Sequence, residues 1–456
     1  DLANLFTKQT RLVLTVEILF TVCFLLWVAL RAYAPEKIMT AGGEKFMEIA
    51  FLNGTLNSAT FPPLDPWLSG FAISYYYFGY VMMALFTRLS AAPAAVGFEL
   101  YDALLFALVA QGAFGVVYNL TAASRRHPAV ESGAPEPHKS HITAGLLGAL
   151  LVAGMGNLEG FLESLYTAGV LPPRFWEWLA IPDLTAKPVT GSWVPNNFMW
   201  WWTASRVVQD VNLSGQPLDK PITEFPFFSF LLGDNHPHVL ALPFVLMAIG
   251  LALNLFLRQR ELPADAPNEQ TTGWKRWVRL VMFDGDRMLF VWAALILGAL
   301  GFLNTWDMPI YIGVVLLAWG LGEALRRQCW DGELLIKTLL LGGSLLVASI
   351  VPYLFFYISF SSQAGGILPY IFPPTRLPQY LVMFGVQIFL VSVFLVVALV
   401  RSHGRAAWRS AVRMWGTLIL VCLLLFGMIL AATALVITAQ ASGGALSTAL
   451  QGTLGD

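Results

Sequence analysis

The chain has 456 residues, of which 57% are hydrophobic and 12% are charged, and its formal net charge is −1. Soluble domains carry roughly 25% charged residues, so this composition excludes an ordinary soluble protein. The near-neutral charge gives no reason to expect a nucleic-acid partner. Three cysteines, Cys23, Cys329 and Cys422, lie in or beside apolar runs at no metal-ligand spacing, and we interpret them as small apolar residues.

Long apolar runs predict membrane-spanning helices, since a helix needs roughly 20 apolar residues to cross a bilayer. Nine runs qualify: residues 12–33, 100–122, 142–157, 237–257, 286–304, 308–325, 333–357, 381–400 and 414–438. The first run is longer than the core of a signal peptide and no small-residue cleavage site follows it, so we expect it to be retained. The sequence therefore predicts an all-α polytopic integral membrane protein, with residues 1–456 forming one transmembrane domain.

Basic residues give this arrangement a direction, because Lys and Arg accumulate in cytoplasmic loops. The clusters occur at Lys8/Arg11, in the loop 123–141, in the loop 258–285, at Arg326/Arg327, and from Arg401 to Arg413. All of them fall on one side when the nine spans are used. This bias predicts a cytoplasmic N-terminus and a C-terminus outside.

One further apolar segment, residues 70–89, does not fit as a span, since it would invert every later loop. We therefore expect a helix in the outer membrane interface, where tyrosine rings prefer to lie. Its tyrosines are Tyr75, Tyr76, Tyr77 and Tyr80. The outer loops 34–99 and 158–236, rich in Pro, Trp and Asn, then form the rim of a candidate active site.

The first outer loop carries acidic residues in the stretch GGEKFMEIAFLN and after a Pro-Pro turn. Glu44 and Glu48 are four residues apart and share a face if residues 43–52 are helical. Asp65 follows Pro62 and Pro63. A carboxylate at the membrane boundary can act as a general base or hold a cation, and it can equally be a solvated or locally paired group.

The second outer loop ends in a D-x-H-x-H cluster formed by Asp234, His236 and His238, at the start of a predicted span. Imidazole and carboxylate groups at this spacing can bind a divalent metal, contact a phosphate or donate protons. Alternatively, the cluster caps the N-terminus of the following helix, where Asp is favoured. Pro237 constrains the backbone between the two histidines, so both rings need not point to one centre.

Lesser candidates lie in the other outer segments. Trp201 belongs to a tryptophan run that anchors at the interface or stacks on a sugar or headgroup, and Arg206 beside it is a candidate phosphate contact. Asn304 and Asp307 form a tight turn or line a shared cavity. Arg376 lies in a loop that is a connector or a mobile substrate loop. Within the spans, Glu17 and Asp102 are costly in hydrocarbon and therefore also candidates for function.

The motifs GGEKFMEIAFLN, FPPLDPWLSG, ISYYYFGY, ITEFPFFSFLLGDNHPH and NTWD lie between residues 43 and 307. Their combination resembles an uncharacterised family of prokaryotic membrane proteins named for its triple tyrosine. More distantly, the chain resembles the GT-C glycosyltransferases, such as protein O-mannosyltransferases and aminoarabinose transferases. Those enzymes carry an acidic pair after the first span, then a Pro-Pro segment and a juxtamembrane helix. Here the first acid of that pair is Gly43, which leaves Glu44 as the base.

The GT-C resemblance implies a sugar transfer from a polyprenyl-phosphate donor to an acceptor outside the membrane. Glu44 would be the base, assisted by Glu48 or Asp65. Substrate-binding residues would be Tyr76, Trp201, Arg206, Asn304, Asp307 and Arg376. Asp234, His236 and His238 would bind the donor phosphate directly or through a divalent metal ion, the one cofactor expected.

The expected location is the plasma (inner) membrane of a prokaryote, with membrane lipids and the lipid-linked donor as partners. Two other classes stay open. A transporter or lipid-handling protein would use the outer cavity for binding alone, although the inverted repeats and broken helices of many transporters are not evident in the sequence. A non-catalytic subunit of a membrane assembly would have no substrate in that cavity and would copurify with its partners.

Overall fold

The computed structural model describes residues 9–33, 43–125, 138–196, 200–262 apart from 213 and 219, 281–361 apart from 330, and 373–401, with isolated residues elsewhere. These residues form helices joined by loops. In chain order, the helices are α1 (Thr10–Tyr33), α2 (Lys45–Asn57), α3 (Phe78–Leu89), α4 (Ala94–Arg125), α5 (His138–Ala149), α6 (Glu159–Thr167), α7 (Pro173–Leu179), α8 (Pro226–Leu232), α9 (Pro237–Glu261), α10 (Arg287–Leu303), α11 (Asp307–Arg327), α12 (Gly332–Ile350), α13 (Leu354–Ser359) and α14 (Leu377–Arg401).

Six stretches of the described chain are long and apolar enough to cross a membrane, which confirms the all-α membrane class. They are Thr10–Tyr33, Ala94–Ser124, Pro237–Arg260, Asp307–Arg327, Gly332–Ser359 and Leu377–Arg401. The predicted span 142–157 is interrupted: α5 ends in a wide turn at Leu150–Gly154, and α6 starts only at Glu159. The predicted span 286–304 is α10, which at 17 residues is slightly short. For the ninth, residues 414–438, nine of the 25 residues are described, all of them helical, and the others lie outside the described residues.

The segment 70–89 contains a shorter helix than the sequence indicates. Only Phe78–Leu89 is helical, and its 12 residues are too few to span a bilayer. The tyrosines do not behave as interfacial anchors: Tyr80 and Tyr77 are buried, and the Tyr77 ring packs edge-on against Phe302. For these two rings the expectation is wrong, because the protein interior also accommodates large aromatic rings, whereas Tyr75 and Tyr76 are only partly buried and their interfacial position stays a prediction.

The described chain divides into two compact units. The first comprises Asp1–Gly156 and Pro226–Ser361, and the second Asn157–Phe225 and Ser362–Asp456. In the first unit, α9 packs against α4, α10 and α11. Pro237 opens α9 at a position where its missing N–H leaves no hydrogen bond unmade. Helix α3 approaches α9 so closely that a Cβ at Gly79 would lie 2.3 Å from Leu240 Cδ1.

The second unit has its own small core, which includes Tyr166, Trp176, Val207 and Val382. Backbone and side-chain hydrogen bonds connect its segments, such as Leu158 N–H to the Val382 carbonyl at 3.0 Å. A cleft of about 620 Å³ opens beside the core, with Tyr166, Trp176 and Glu177 among its walls. This unit holds most of the second outer loop predicted from the sequence.

Candidate functional site

Two segments far apart in the sequence meet in the first unit: the start of α2 and the turn between α8 and α9. Gly43, immediately before α2, has φ +83°, a conformation that favours glycine. A Cβ at this position would lie 3.2 Å from Asp234 Oδ2. The absent side chain therefore leaves room for the Asp234 carboxylate, which accepts a hydrogen bond from the Glu44 N–H at 3.2 Å.

The side chains at this junction form a cluster of acids around one imidazole. His236 Nδ1 lies 3.2 Å from Glu44 Oε2 and 3.6 Å from Glu48 Oε1. Glu48 is fully buried, Asp234 is 4% exposed, and the Glu44 side chain is 55% exposed. Residues 43–52 are helical only from Lys45 onwards: α2 spans Lys45–Asn57 and contains the buried Glu48, while Glu44 is the more exposed residue just before it.

Burial dominates the electrostatics of Glu48. It raises the pKa of this carboxyl to about 8, although hydrogen bonds with Asp234 and with the Asn235 backbone act in the opposite direction. The Asn235 N–H donates to Glu48 Oε2 at 2.8 Å. Lys45 beside it is 2% exposed. Burial lowers the pKa of this lysine, and the charge of Arg31 lowers it further, whereas Asp234 acts in the opposite direction.

The D-x-H-x-H cluster does not act as a helix cap. His236 is the residue before the first turn of α9, with extended backbone at φ −73° and ψ 155°, and no side chain caps the helix there. Asp234 instead accepts from Glu44 across 190 residues of sequence. The capping interpretation is therefore wrong, because the carboxylate turns away from α9 and towards α2.

The structure brings together only two of the three expected metal ligands. Glu48, Asp234 and His236 each offer a ligand atom, and these atoms lie within 4.8 Å of one another. His238 takes a different direction: its Nε2 lies 3.3 Å from Ser229 Oγ. The two rings are neighbours, with centroids 5.4 Å apart, but residue 236 is extended and residue 238 is in the helix, so their nitrogen atoms contact different groups. Glu48 occupies the place that the sequence analysis gave to His238.

Tyr75 is a site residue that sequence reasoning assigned only to the membrane interface. Its hydroxyl lies 3.4 Å from His236 Nε2, on the side of the ring opposite the acids. Burial raises the pKa of this phenol first, and the charge of Glu44 raises it further. Tyr76, the predicted substrate contact, packs instead in an aromatic group, 5.2 Å between ring centroids from Phe360 and 5.4 Å from Tyr75. The tyrosines of the triplet differ in the distant residues that they contact, and the local sequence does not show which of them reaches His236.

The NTWD motif lies close to the cluster as well. Asn304 Nδ2 donates to Asp307 Oδ2 at 3.2 Å, which forms the expected turn at the start of α11. Asp307 is near enough to His238 for the two groups to interact electrostatically.

Asp65 has a local role in its own loop, where its Oδ1 accepts from the backbone N–H groups of Trp67 at 2.7 Å and Leu68 at 2.9 Å.

A buried ion pair supports the turn that carries Asp234. Arg31 Nε lies 2.5 Å from Glu99 Oε2 and 3.9 Å from Asp102 Oδ2, and Trp27 Nε1 donates to Asp102 at 2.9 Å. Asp102, predicted as costly in hydrocarbon, is thus buried inside the protein with partners. The Arg31 guanidinium packs flat on Gly233, where a Cβ would lie 2.2 Å from Nη2. Glu17, by contrast, is exposed on α1.

Three predicted substrate contacts lie in the second unit. Arg206 Nη1 donates to the Ser205 carbonyl at 2.9 Å and to Ser205 Oγ at 2.7 Å, and its guanidinium lies 4.8 Å from the centre of the Trp202 ring. Burial lowers its pKa. The Trp201 ring lies 6.3 Å from that of Trp202. Arg376 Nη2 donates to the Trp178 carbonyl at 3.4 Å.

The second unit also contains a buried acid pair that the sequence analysis did not identify. Glu159 and Glu163 are fully buried, one turn apart on α6, and Lys187 Nζ lies 2.6 Å from Glu163 Oε1. Thr203 Oγ1 lies 2.9 Å from a Glu159 oxygen and 2.8 Å from a Glu163 oxygen. Two acids at i and i+4 in an otherwise apolar segment were the available signal.

A family model described as "Uncharacterized membrane protein (DUF2298)" matches residues 2–453. No curated protein and no solved structure matches the chain. The match extends over the motifs between residues 43 and 307 and over the C-terminal third, where the sequence analysis identified no motif. It confirms the expectation of an uncharacterised membrane-protein family. The chain belongs to the uncharacterized membrane protein family DUF2298.

Proposed function

We propose that this protein transfers a sugar from a polyprenyl-phosphate donor to an acceptor hydroxyl on the non-cytoplasmic face of the membrane. One observation carries the proposal. Glu44 presents a half-exposed carboxylate 3.2 Å from His236 Nδ1, at the edge of an otherwise buried acid cluster. An accessible carboxylate positioned by a fixed partner is the arrangement that a general base requires.

In the proposed step, the acceptor oxygen forms a bond to C1 of the sugar as the bond from C1 to the phosphate oxygen breaks. The polyprenyl phosphate leaves with the electron pair, and the proton of the acceptor hydroxyl passes to Glu44. Negative charge develops on the leaving phosphate, so the site must stabilise it in surroundings poor in water. Beside Glu44, the His236 imidazole is the group proposed to bind the phosphate, directly or through a divalent metal ion.

The sequence context supports a lipid-linked donor. The chain belongs to a membrane-protein family and has six stretches long enough to span a bilayer among its described residues, which fits a substrate dissolved in the membrane. The distribution of basic residues favours an outward-facing site. The order Glu44, Glu48, Pro62-Pro63 and then the short helix Phe78–Leu89 is also the order of features in the GT-C transferases that the sequence resembles.

The test is sugar transfer by purified protein in proteoliposomes. The donors are a panel of radiolabelled polyprenyl-phosphate monosaccharides, and the measured quantity is release of free polyprenyl phosphate. We expect turnover of at least one donor and its loss in Glu44→Gln, because the amide cannot accept the proton. Glu333→Gln is the matched control, since that side chain is 63% exposed at the start of α12 and lies outside the cluster.

Two results would count against the proposal. If Glu44→Gln keeps full turnover, Glu44 is not the base. If the protein binds a polyprenyl phosphate but consumes no member of the panel, transport or lipid handling becomes the better interpretation.

A further inference from the structure

We propose that Glu48, Asp234 and His236 bind a divalent metal ion of the Mn²⁺ to Zn²⁺ series. The inference deepens the proposed function, because such an ion beside Glu44 would hold the donor phosphate. Metal binding itself does not depend on that function. The ligand set is two carboxylates and one imidazole, which suits these ions better than Mg²⁺ or Ca²⁺.

The geometry is close to that of a metal site. The three ligand atoms lie within 4.8 Å of one another. Ligands at about 2.1 Å from a tetrahedral ion are about 3.4 Å apart, so shifts of roughly 0.7 Å per atom complete the site. Three protein ligands leave a coordination position open, which is typical of catalytic rather than structural metal sites.

Atoms without hydrogen bonds point into the cluster. Glu48 Oε1 and His236 Nδ1 are buried, and within the described part of the chain neither forms a hydrogen bond. Glu48 itself is 0% exposed. A buried polar atom that lacks a partner is costly, so such an atom needs an explanation. Here both atoms face the same space, and His236 Nδ1 lies 3.2 Å from Glu44 Oε2 and 3.6 Å from Glu48 Oε1, so a cation bound there would have three groups to contact.

The excess of acidic groups over basic ones favours a cation in the cluster. Glu44, Glu48 and Asp234 supply three carboxylates around one imidazole. Among the described residues, Lys45 interacts electrostatically with Glu48 and Asp234, and Arg31 forms an ion pair with Glu99. A divalent ion compensates the excess negative charge, and buried charges are stable only when they are paired or coordinate a metal.

The surroundings hold the ligands in place, as they do in known metal sites. The Asn235 N–H binds Glu48 Oε2 at 2.8 Å, so that Oε1 faces the cluster. The Glu44 N–H binds Asp234 Oδ1 at 3.2 Å. The Tyr75 hydroxyl at 3.4 Å from His236 Nε2 can accept the proton of that nitrogen, which leaves Nδ1 as the ligand atom. These groups lie outside the ligand set, yet each one orients a member of it.

The experiment measures metal content and affinity in purified protein without a histidine tag. Protein in detergent is dialysed against Mn²⁺ or Zn²⁺, its metal content is determined by mass spectrometry, and affinity is measured by titration calorimetry. We expect one ion per chain in the wild type and loss of this ion in Glu48→Gln and His236→Gln. His238→Gln is the matched control, because that ring faces Ser229, and it should bind normally.

Electron paramagnetic resonance of Mn²⁺ in the wild-type protein provides a second readout that needs no variant, in case a ligand substitution prevents folding. A spectrum of immobilised Mn²⁺ at one equivalent supports the site. A wild-type protein that binds no ion overturns the proposal. Loss of the ion in His238→Gln with retention in Glu48→Gln overturns it too, since the ligand set would then be a different one.

These results separate the two proposals. A protein that binds the ion but consumes no donor keeps the metal site and loses the transferase function. A protein that transfers sugar after chelation and at zero metal content keeps the function and loses the site.

Discussion

Replacing Gly233 by alanine tests whether the turn that carries Asp234 is fixed by the buried ion pair beneath it. Gly233 has φ +69°, and an ideal Cβ there would lie 2.2 to 2.3 Å from three atoms of the Arg31 guanidinium. Because the whole planar group is in the way, a small rotation of its tip does not relieve the clash. Arg31 must withdraw from Glu99 and from the Leu231 carbonyl.

The expected loss of stability has two parts. The left-handed backbone costs an alanine roughly 1–2 kcal/mol. Breaking a buried ion pair costs about 3–5 kcal/mol, because the Glu99 and Asp102 carboxylates then lose their cation. Gly233→Ala should therefore destabilise the protein by about 4–7 kcal/mol, a large fraction of the roughly 5–15 kcal/mol that a typical protein possesses.

Two other glycines of the described chain serve as matched controls in equilibrium unfolding in mixed micelles, followed by tryptophan fluorescence. Gly70 has φ +85° but no described atom within 4 Å of its ideal Cβ, so Gly70→Ala should show only the backbone part, about 1–2 kcal/mol. Gly313, inside α11, is also free of such contacts and has no positive φ, so Gly313→Ala should stabilise by about 0.5–1 kcal/mol. If Gly233→Ala loses no more than Gly70→Ala, the role assigned to Arg31 is wrong.

Two further predictions concern single contacts. Lys187→Met should destabilise the second unit by about 3–5 kcal/mol, because it removes the basic partner of the fully buried Glu163 carboxylate. The double variant with Glu163→Gln should recover much of that loss, and additive losses in the same unfolding assay would contradict the pairing. Tyr75→Phe should weaken Mn²⁺ binding by about tenfold, because His236 Nε2 loses its hydroxyl partner. Tyr76→Phe should leave the affinity measured by calorimetry unchanged. Equal effects of the two variants would show that the hydroxyl of Tyr75 does not orient His236.

The membrane helices were the most predictable part of the fold, because the thickness of a bilayer sets their length regardless of neighbours. The exceptions have local causes. The run 142–157 is apolar throughout, yet a wide turn at Leu150–Gly154 ends its helix. The segment 70–89 begins with extended residues, and its tyrosines pack inward against rings such as Phe302, which lies more than 200 residues along the chain. Hydrophobicity alone does not distinguish burial in protein from burial in lipid.

For the candidate site, the sequence identified the types of residues but not their arrangement. Carboxylates and imidazoles are conspicuous in so apolar a chain, so the sequence identifies as candidate site residues Glu44, Glu48, Asp234 and His236. Their grouping depends on a contact between segments about 190 residues apart, which no local pattern encodes. His236 and His238 are equivalent in type and spacing, but the ligand group includes only His236, while His238 Nε2 lies 3.3 Å from Ser229 Oγ.

Gly43 shows the same limit of sequence-based prediction. A glycine before an acidic residue looked like the loss of one member of an acidic pair. In the fold, Gly43 is the residue that allows the Asp234 carboxylate to approach, so an acid reaches the same place from another part of the chain. The order of the sequence does not reveal that Asp234 lies beside Gly43.

The most direct measurement of the central claim is an experimental density map of the protein with Mn²⁺ and a polyprenyl phosphate. The account expects a metal peak at about 2.0–2.2 Å from Glu48 Oε1, an Asp234 oxygen and His236 Nδ1, with the lipid phosphate on its open side next to Glu44. A cluster without a metal peak, with the lipid phosphate bound elsewhere, would contradict it.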